Sequence, residues 1–132
     1  MELALLTSLF VLLLAGSVDL GRACYTAIEV SAAANAGAEY GLQNPTDTVG
    51  MQKAALLNGA NLSGLSTSAS WGCECSDGSG ASASCANKPS CSVNVVKYVL
   101  VTTSMAYQPT IGFPGIPSSL ALKGNARMRA AD

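Results

Sequence analysis

The first 43 residues carry an apolar pattern that changes halfway along. Residues 3–18 hold no charge and are apolar on every side of a helix, whereas residues 21–43 mix small apolar residues with charged and polar ones. No proline precedes Pro45, so the pattern predicts one helix of about forty residues, roughly 60 Å long. We divide it into a membrane or filament-core half, residues 1–20, and an amphipathic half, residues 21–43. Because a helix that is apolar all round has to be covered, we expect lipid or protein around its first half.

The rest of the chain, residues 44–132, predicts a small head that begins with a second, shorter helix. This helix is expected over residues 47–58. Thr46 is a suitable N-cap, because its hydroxyl can accept a hydrogen bond from the first turn, and Gly59 follows the last residue as a stop.

The C-terminal part of the head has the pattern of β-strands. Residues 61–92 are rich in Ser, Gly, Ala and Thr and predict exposed loops around a short strand, and residues 92–103 are apolar on both faces of a strand. Residues 119–130 alternate, as a half-buried strand does. Its apolar face is expected to hold Leu120, Leu122, Ala126 and Met128, and its polar face Lys123, Asn125, Arg127 and Arg129. The fold class is therefore α+β, with a small antiparallel sheet packed on the C-terminal half of the long helix.

Small residues in the second half of the long helix recur at intervals of four. Ala33 and Gly37 form one such pair, and Ala34 and Ala38 form another. This spacing lets another backbone come close, either from the protein's own sheet or from a neighbouring helix. The alternative is that alanine is present only because it favours helix formation.

Four of the five cysteines, Cys73, Cys75, Cys85 and Cys91, lie together in a loop over residues 71–91. Two disulfides are the favoured interpretation, because a zinc site of four thiolates fits C-x-C spacing poorly. Cys73 and Cys75 project from the same side of a strand, so each is expected to bond to Cys85 or Cys91. We favour the nested arrangement, Cys73 with Cys91 and Cys75 with Cys85. The fifth, Cys24, is expected to be a small buried apolar residue of the helix.

Composition narrows the function classes. Charged residues make up 11% of the 132 residues, the net charge is −1 and there is no histidine. The chain therefore has no basic patch for nucleic acid. It also lacks the residue most used as a general base or metal ligand, and no paired-acid, phosphate-loop or nucleophile motif is present. We expect neither enzyme activity nor a cofactor or metal.

The order of these elements resembles that of TadE-like pseudopilins in the type IV pilus superfamily. That family has an acidic residue before a long apolar run, then an acid-x-Gly-Arg step, then an Ala-rich stretch with Gly-Ala-x-Tyr. Here these are Glu2, then Asp19 with Gly21 and Arg22, then residues 36–40. A valine-rich strand, a proline-rich bend and a terminal strand are similar too, so the resemblance extends over nearly the whole chain. Type IV pilins usually carry the acid at the fifth mature position, and here it is at the second.

The resemblance implies a pilin-like fold and a structural role in an extracellular filament. Such a subunit waits in the bacterial inner membrane with lipid around its helix, and then exchanges the lipid for identical helices or other pilins at the cell surface. Adhesion and secretion are the functions that such filaments serve.

Four positions are candidate assembly residues. Glu2 is expected at the membrane interface or beside a cationic partner, because a charge is unfavourable in hydrocarbon. Leu13 lies in the middle of the apolar run. Asp19 and Arg22, three residues apart, can pair at the other boundary, although an ordinary charge pair at a helix end is equally consistent with this spacing. Signal-type cleavage near Ala15 stays open as an alternative, and a membrane-anchored or secreted binding module that uses the cysteine loop is the alternative function.

Overall fold

One continuous helix forms the N-terminal third of the chain. The structure, a computed structural model, describes residues 2–82, 85–87, 89–110 and 117–130. Helix α1, Glu2–Gln43, is 42 residues long. The prediction of a single helix of this length is confirmed.

A second helix, α2, Thr48–Asn58, follows after a short turn. Its N-cap is Asp47, whose carboxylate accepts a hydrogen bond from the backbone N–H of Gly50 at 2.8 Å. The prediction of Thr46 as the cap is therefore wrong by one residue. The Tyr40 hydroxyl of α1 also donates to the Asp47 carboxylate, at 2.9 Å.

Four strands form one antiparallel sheet: β1, Ser66–Cys75; β2, Ala81–Ser82; β3, Val95–Tyr107; and β4, Leu120–Ala130. Their order is β2-β1-β3-β4. β1 is longer than the short strand that the sequence predicts. Its alternation is difficult to recognise in the sequence, because serines occupy outward positions next to the inward-facing Ala69 and Trp71. Residues 111–116 of the predicted proline-rich bend lie outside the described part of the chain.

The second half of α1 packs on the inner face of the sheet, with α2 beside it. The core consists of Ala34, Ala38, Met51, Ala55, Val99, Val101 and Ala126. A Cβ added at Gly37 would lie 2.8 Å from the Met51 carbonyl oxygen, so only glycine lets the two helices come this close. The four-residue spacing of small residues therefore serves packing against the protein's own head. The expected α+β class and the position of the sheet on the helix are confirmed.

The alternation expected for β4 is also confirmed. Gly124, Ala126 and Ala130 are buried, and Leu122 and Met128 are half-buried on the same face, whereas Lys123, Asn125, Arg127 and Arg129 are exposed on the other.

Candidate functional site

Among the described residues, the large apolar side chains in the first half of α1 are exposed. The exposed fractions of Leu3, Phe10 and Leu13 are 77%, 64% and 60%. Among the described residues, α1 is the helix that is long and apolar enough to cross a membrane, with a mean hydropathy of 1.5 and none of its most apolar window buried. Length and composition alone support this, and the segment is also near the N-terminus, where export signals occur.

The hydroxyl groups of this half are turned back onto the helix. The Thr7 hydroxyl donates to the Leu3 carbonyl oxygen at 3.0 Å, and the Ser17 hydroxyl donates to that of Leu14 at 2.9 Å. A hydroxyl satisfied in this way can face an apolar environment at little cost. The apolar half is therefore suited to lipid or protein on every described side.

Asp19 joins the apolar half of the helix to the head. It is 9% exposed, and its carboxylate accepts hydrogen bonds from the Tyr107 hydroxyl and from the backbone N–H of Thr110, both at 3.1 Å. Burial raises the pKa of Tyr107 above its ordinary value, and the neighbouring Asp19 raises it further. The neutral hydroxyl therefore remains the donor at physiological pH.

Arg22 reaches the same segment of the head. Its Nη1 donates to the Thr110 hydroxyl at 2.6 Å. Asp19 and Arg22 thus both contact Thr110, which is far from them in sequence. Sequence spacing suggested that they pair with each other, but it gave no signal for Tyr107 or Thr110, because those contacts depend on where the end of β3 meets the helix.

The remaining candidate assembly residues lie on the uncovered half. Glu2 is the first residue of α1, and its side chain lies outside the described part of the structure. Leu13 is exposed in the middle of the apolar run. The expectation of a buried Cys24 is wrong, because its thiol is free and exposed.

Two disulfides fasten the loop at the end of β1. They join Cys73 to Cys85 and Cys75 to Cys91, with Cα–Cα distances of 5.1 and 5.6 Å. The expected disulfides are confirmed, but the nested pairing is wrong. Ser82 of β2 is the Cα partner of Cys73, so the chain brings Cys85 back beside Cys73 and leaves Cys75 for Cys91. Because all four sulfur atoms are bonded, the zinc alternative does not hold.

An ion-pair cluster lies beside this loop on the outer face of the sheet. Glu74 is 6% exposed and bonds to both Arg127 and Arg129, the latter through Nε at 2.6 Å. The Arg127 guanidinium also lies over the Tyr98 ring, 4.1 Å from its centroid. Glu74 and the two arginines line an open cleft of about 490 Å³. Two arginines alternating on one face of β4 were a signal in the sequence that a carboxylate partner was needed.

No site for a metal ion is evident in the described ranges, where groups of three or more His, Cys, Asp or Glu side chains placed to hold one are absent.

Comparison with known proteins supports the N-terminal part of the resemblance. Residues 1–39 match the sequence model of a family described as "TadE-like protein". Searches of curated proteins and of solved structures found no match. The matched segment ends inside α1, so for the head the resemblance stays a prediction. Over residues 1–39, a segment that ends within α1, this chain is similar to the TadE-like family.

Proposed function

We propose that the chain is a structural, pilin-like subunit of an extracellular filament related to type IV pili. The observation that carries the proposal is the contrast within α1: the head covers its second half, and the apolar residues of its first half are exposed. The TadE-like match over residues 1–39 falls on this same helix.

Two coverings suit such a segment, and the proposal uses both. Each large apolar side chain that leaves water contributes about 1.5–3 kcal/mol, so a run of exposed leucines strongly favours a covered state. Lipid of the inner membrane covers the helix before assembly, and copies of the chain or other pilins cover it in the filament. An α-helix suits both environments, because its backbone groups are hydrogen-bonded internally.

The remaining parts of the proposal concern partners and chemistry. The head is exposed outside the cell, where disulfides persist. We assign the chain no catalytic activity, no cofactor and no nucleic-acid partner.

A second candidate function is a membrane-anchored or secreted binding module that does not polymerise. The cleft beside the cysteine loop favours it, since Glu74, Arg127 and Arg129 are polar groups that converge on an open concave surface. In that case the apolar segment would only hold the head at the membrane, or would be removed during export.

Substitution of Leu13 tests the filament proposal. Leu13→Lys places a charge in the middle of the apolar run, where it is unfavourable against lipid and against another helix. We expect electron microscopy of extracellular material to show no filaments for this variant, while the head still forms both disulfides. Leu13→Ile keeps the apolar surface and should leave filament yield unchanged.

Two results would contradict the filament proposal. One is that Leu13→Lys yields as many filaments as the unchanged chain. The other is an exported protein whose N-terminal sequence begins at Val18 or later, which would favour the secreted binding module.

A further inference from the structure

One edge of the sheet is open along most of β1. β2 pairs with β1 only at Cys73 and Glu74, so among the described residues no strand lies beside residues 66–72 on that side. The N–H of Cys75 donates to the Gly80 carbonyl oxygen on the β2 side, at 2.8 Å. Because successive residues of a strand direct their backbone groups to opposite sides, every second residue before Cys75 points the same way. Those whose N–H and C=O groups point to the open edge are Thr67, Ala69 and Trp71.

The open edge of β1 lacks the features that usually protect a strand edge. Proteins commonly place charged residues, a proline or a bulge at an exposed edge, because unpaired backbone groups are a template for another strand. Residues 54–73 contain no charged residue and no proline. β1 also pairs with β3 without interruption from Ser66 to Cys75. The edge of β1 can therefore accept a further strand.

The opposite edge of the sheet, formed by β4, is protected by charge. Lys123, Arg127 and Arg129 are exposed along it. The same alternation, followed across the paired strands, directs the backbone groups of these three residues to the open edge of β4. Two β4 edges would bring like charges together, which is unfavourable. The uncharged edge of β1 has no such effect on β4.

The strands at the two edges run in the same direction. Tyr107, at one end of β3, bonds to Asp19. Val99, nearer the start of β3, lies beside Gly41, so β3 runs antiparallel to α1. β1 and β4 are both antiparallel to β3 and therefore run in the direction of α1. When the helices of two copies cross one membrane in the same direction, β1 of one copy is parallel to β4 of the other.

The two edges also lie at the same height above the membrane. Ser66 and Lys123 are both Cα partners of Ser104 in β3. Copies held by the same apolar residues 3–18 stand level, so the open part of β1 lies level with residues 123–129 of a neighbouring copy. In each pair of level residues, both side chains are on the same face of the sheet, and one residue directs its backbone groups to the other copy. This is the arrangement of parallel strands.

We propose that the open edge of β1 pairs, as a parallel strand, with the β4 edge of a second copy of this chain held in the same membrane. Two β1 edges could pair with the helices on one side of the sheet only if the copies ran antiparallel, which would point their apolar segments in opposite directions. A contact between two different edges can repeat from copy to copy. The inference rests on the membrane-held stage of the proposed function and adds a contact between the heads.

Exposed apolar residues on α2 support this contact. α2 packs on β1, whereas α1 packs on β4 and β3. If the sheet continues from β1 into β4 of the next copy, helix α1 of that copy comes beside α2. Val49, Leu56 and Leu57 of α2 are exposed in the single chain. Apolar side chains of α2 that leave water at this contact would add to its stability.

Disulfide cross-linking tests the contact. Every variant carries Cys24→Ser, which removes the free thiol. One variant adds Ser68→Cys and another adds Asn125→Cys; both positions are Cα partners of Thr102, so they are level. Within one chain they are two strand spacings apart, about 10 Å, which is too far for a disulfide. Membranes that contain both variants, oxidised with copper phenanthroline, should show a covalent dimer on a non-reducing gel.

Ala121→Cys is the matched control for Asn125→Cys. Ala121 is exposed on the same face of β4, but lies about 13 Å further toward the membrane. We expect no dimer between Ala121→Cys and Ser68→Cys. We also expect none when Ser68→Cys or Asn125→Cys is produced alone.

Charge substitutions at Ser70 provide the second measurement. Ser70 is exposed, and Ser70 and Arg127 are both Cα partners of Leu100. Ser70→Lys places a positive charge level with Arg127 of the second copy, and Ser70→Glu places a negative charge there. The head should fold in both variants. We expect the yield of the dimer to fall about two- to fivefold with Ser70→Lys and not to fall with Ser70→Glu.

Each result decides one of the two proposals. A dimer that forms equally well with Ala121→Cys would overturn the contact, as would a dimer of Ser68→Cys alone or equal yields for the two Ser70 variants. Absence of the dimer from cells that still assemble filaments would overturn the contact and leave the filament function standing. Dimers in the membrane of cells whose unchanged chain never forms filaments would overturn the filament function and leave the contact standing.

Discussion

The two halves of α1 share one unbroken backbone, but they differ in which residues of the chain pack on them. In the first half, the large residues Leu9 and Phe10 are 56% and 64% exposed, and nothing in the described chain packs on them. In the second half, Ala34 and Ala38 are fully buried, and Gly37 lies against the backbone of α2. Leu9 and Phe10 are large where no described residue of the head packs on them, and Ala34, Gly37 and Ala38 are small where the head comes close.

This difference shows that the hydrophobicity of a segment of α1 does not determine whether the segment is buried. The most hydrophobic segment contributes least to the core, because its side chains wait for partners outside the chain. The segment that does contribute has small residues, because close approach of α2 and the sheet excludes larger ones. At Gly37, the absence of a side chain reflects how near the backbone of α2 lies.

The largest effect is expected from a substitution that destabilises the head and leaves the apolar half of α1 unchanged. Met128 packs against the core from the apolar face of β4. Met128→Asp removes this contact and brings a carboxylate toward the core, which we expect to lower the free energy of unfolding by about 4 kcal/mol. Urea unfolding followed through Trp71 fluorescence measures it, and the first half of α1 should stay helical in micelles. Lys123→Asp, on the exposed face, should be nearly neutral; equal effects would show that the assigned faces are wrong.

The next effect concerns the disulfides, which stabilise the head and leave the apolar half untouched. Replacing Cys75 and Cys91 together by serine opens a loop with a sequence separation of 16 residues. We expect a loss of about 3 kcal/mol in the free energy of unfolding, because the unfolded chain gains conformations. Thermal unfolding measures it. In the unchanged protein, alkylation without reduction should label Cys24 alone, and modification of Cys73 or Cys75 would contradict the pairing.

Two glycines of α1 that differ in their surroundings can be compared by substitution with alanine. Gly37→Ala forces a Cβ to within 2.8 Å of the Met51 carbonyl oxygen, and we expect it to destabilise the head by about 2 kcal/mol. Gly21→Ala meets no neighbour in the chain and should stabilise the isolated subunit by about 0.5–1 kcal/mol, through helix propensity. Chemical denaturation of both variants tests the pair. Equal changes of the same sign would mean that Gly21 and Gly37 do not differ in packing.

The smallest effect is a pH dependence of the contact between the helices. The N–H of Gly50 and the hydroxyl of Tyr40 hold the pKa of Asp47 below its usual value. An acid whose pKa is lower in the folded than in the unfolded protein stabilises the fold above its unfolded pKa, and this is lost as the pH falls. We therefore expect Tm to decrease slightly below about pH 4, and Asp47→Asn to flatten that decrease. A Tm of Asp47→Asn that falls as steeply as that of the unchanged protein would contradict this role.

Periodicity and termination signals predict much of this fold from the sequence. The apolar run and the absence of proline before Pro45 indicate one long helix, and the alternation in β4 identifies its buried face. β1 is underestimated because serines alternate with Thr67 and Ala69 over its first residues, so the pattern lacks contrast before Trp71. The N-cap Asp47 also bonds to Tyr40, a contact that sequence spacing does not reveal.

In the candidate site, too, some features could be predicted from the sequence and others could not. Cys73 and Cys75 could be assigned to two disulfides, but their partners depend on how β2 turns the chain back, which is a property of the folded sheet. The position of Asp19 at the end of the apolar run is visible in the sequence. Its bond to Tyr107 joins residues 88 positions apart, and no local pattern encodes such a distance.

The turn between β1 and β2, next to the two disulfides, is a position at which a peptide could be inserted into this protein. Tyr107, at one end of β3, meets Asp19 near the apolar half, so Val95 and its partner Cys75 mark the opposite end of the head. Gly78, at φ +79°, turns the chain there, and the disulfides of Cys73 and Cys75 fix its base. An epitope tag inserted beside Gly78 would therefore be displayed at the end of the head opposite Asp19, outside the paired residues of β1 and β3.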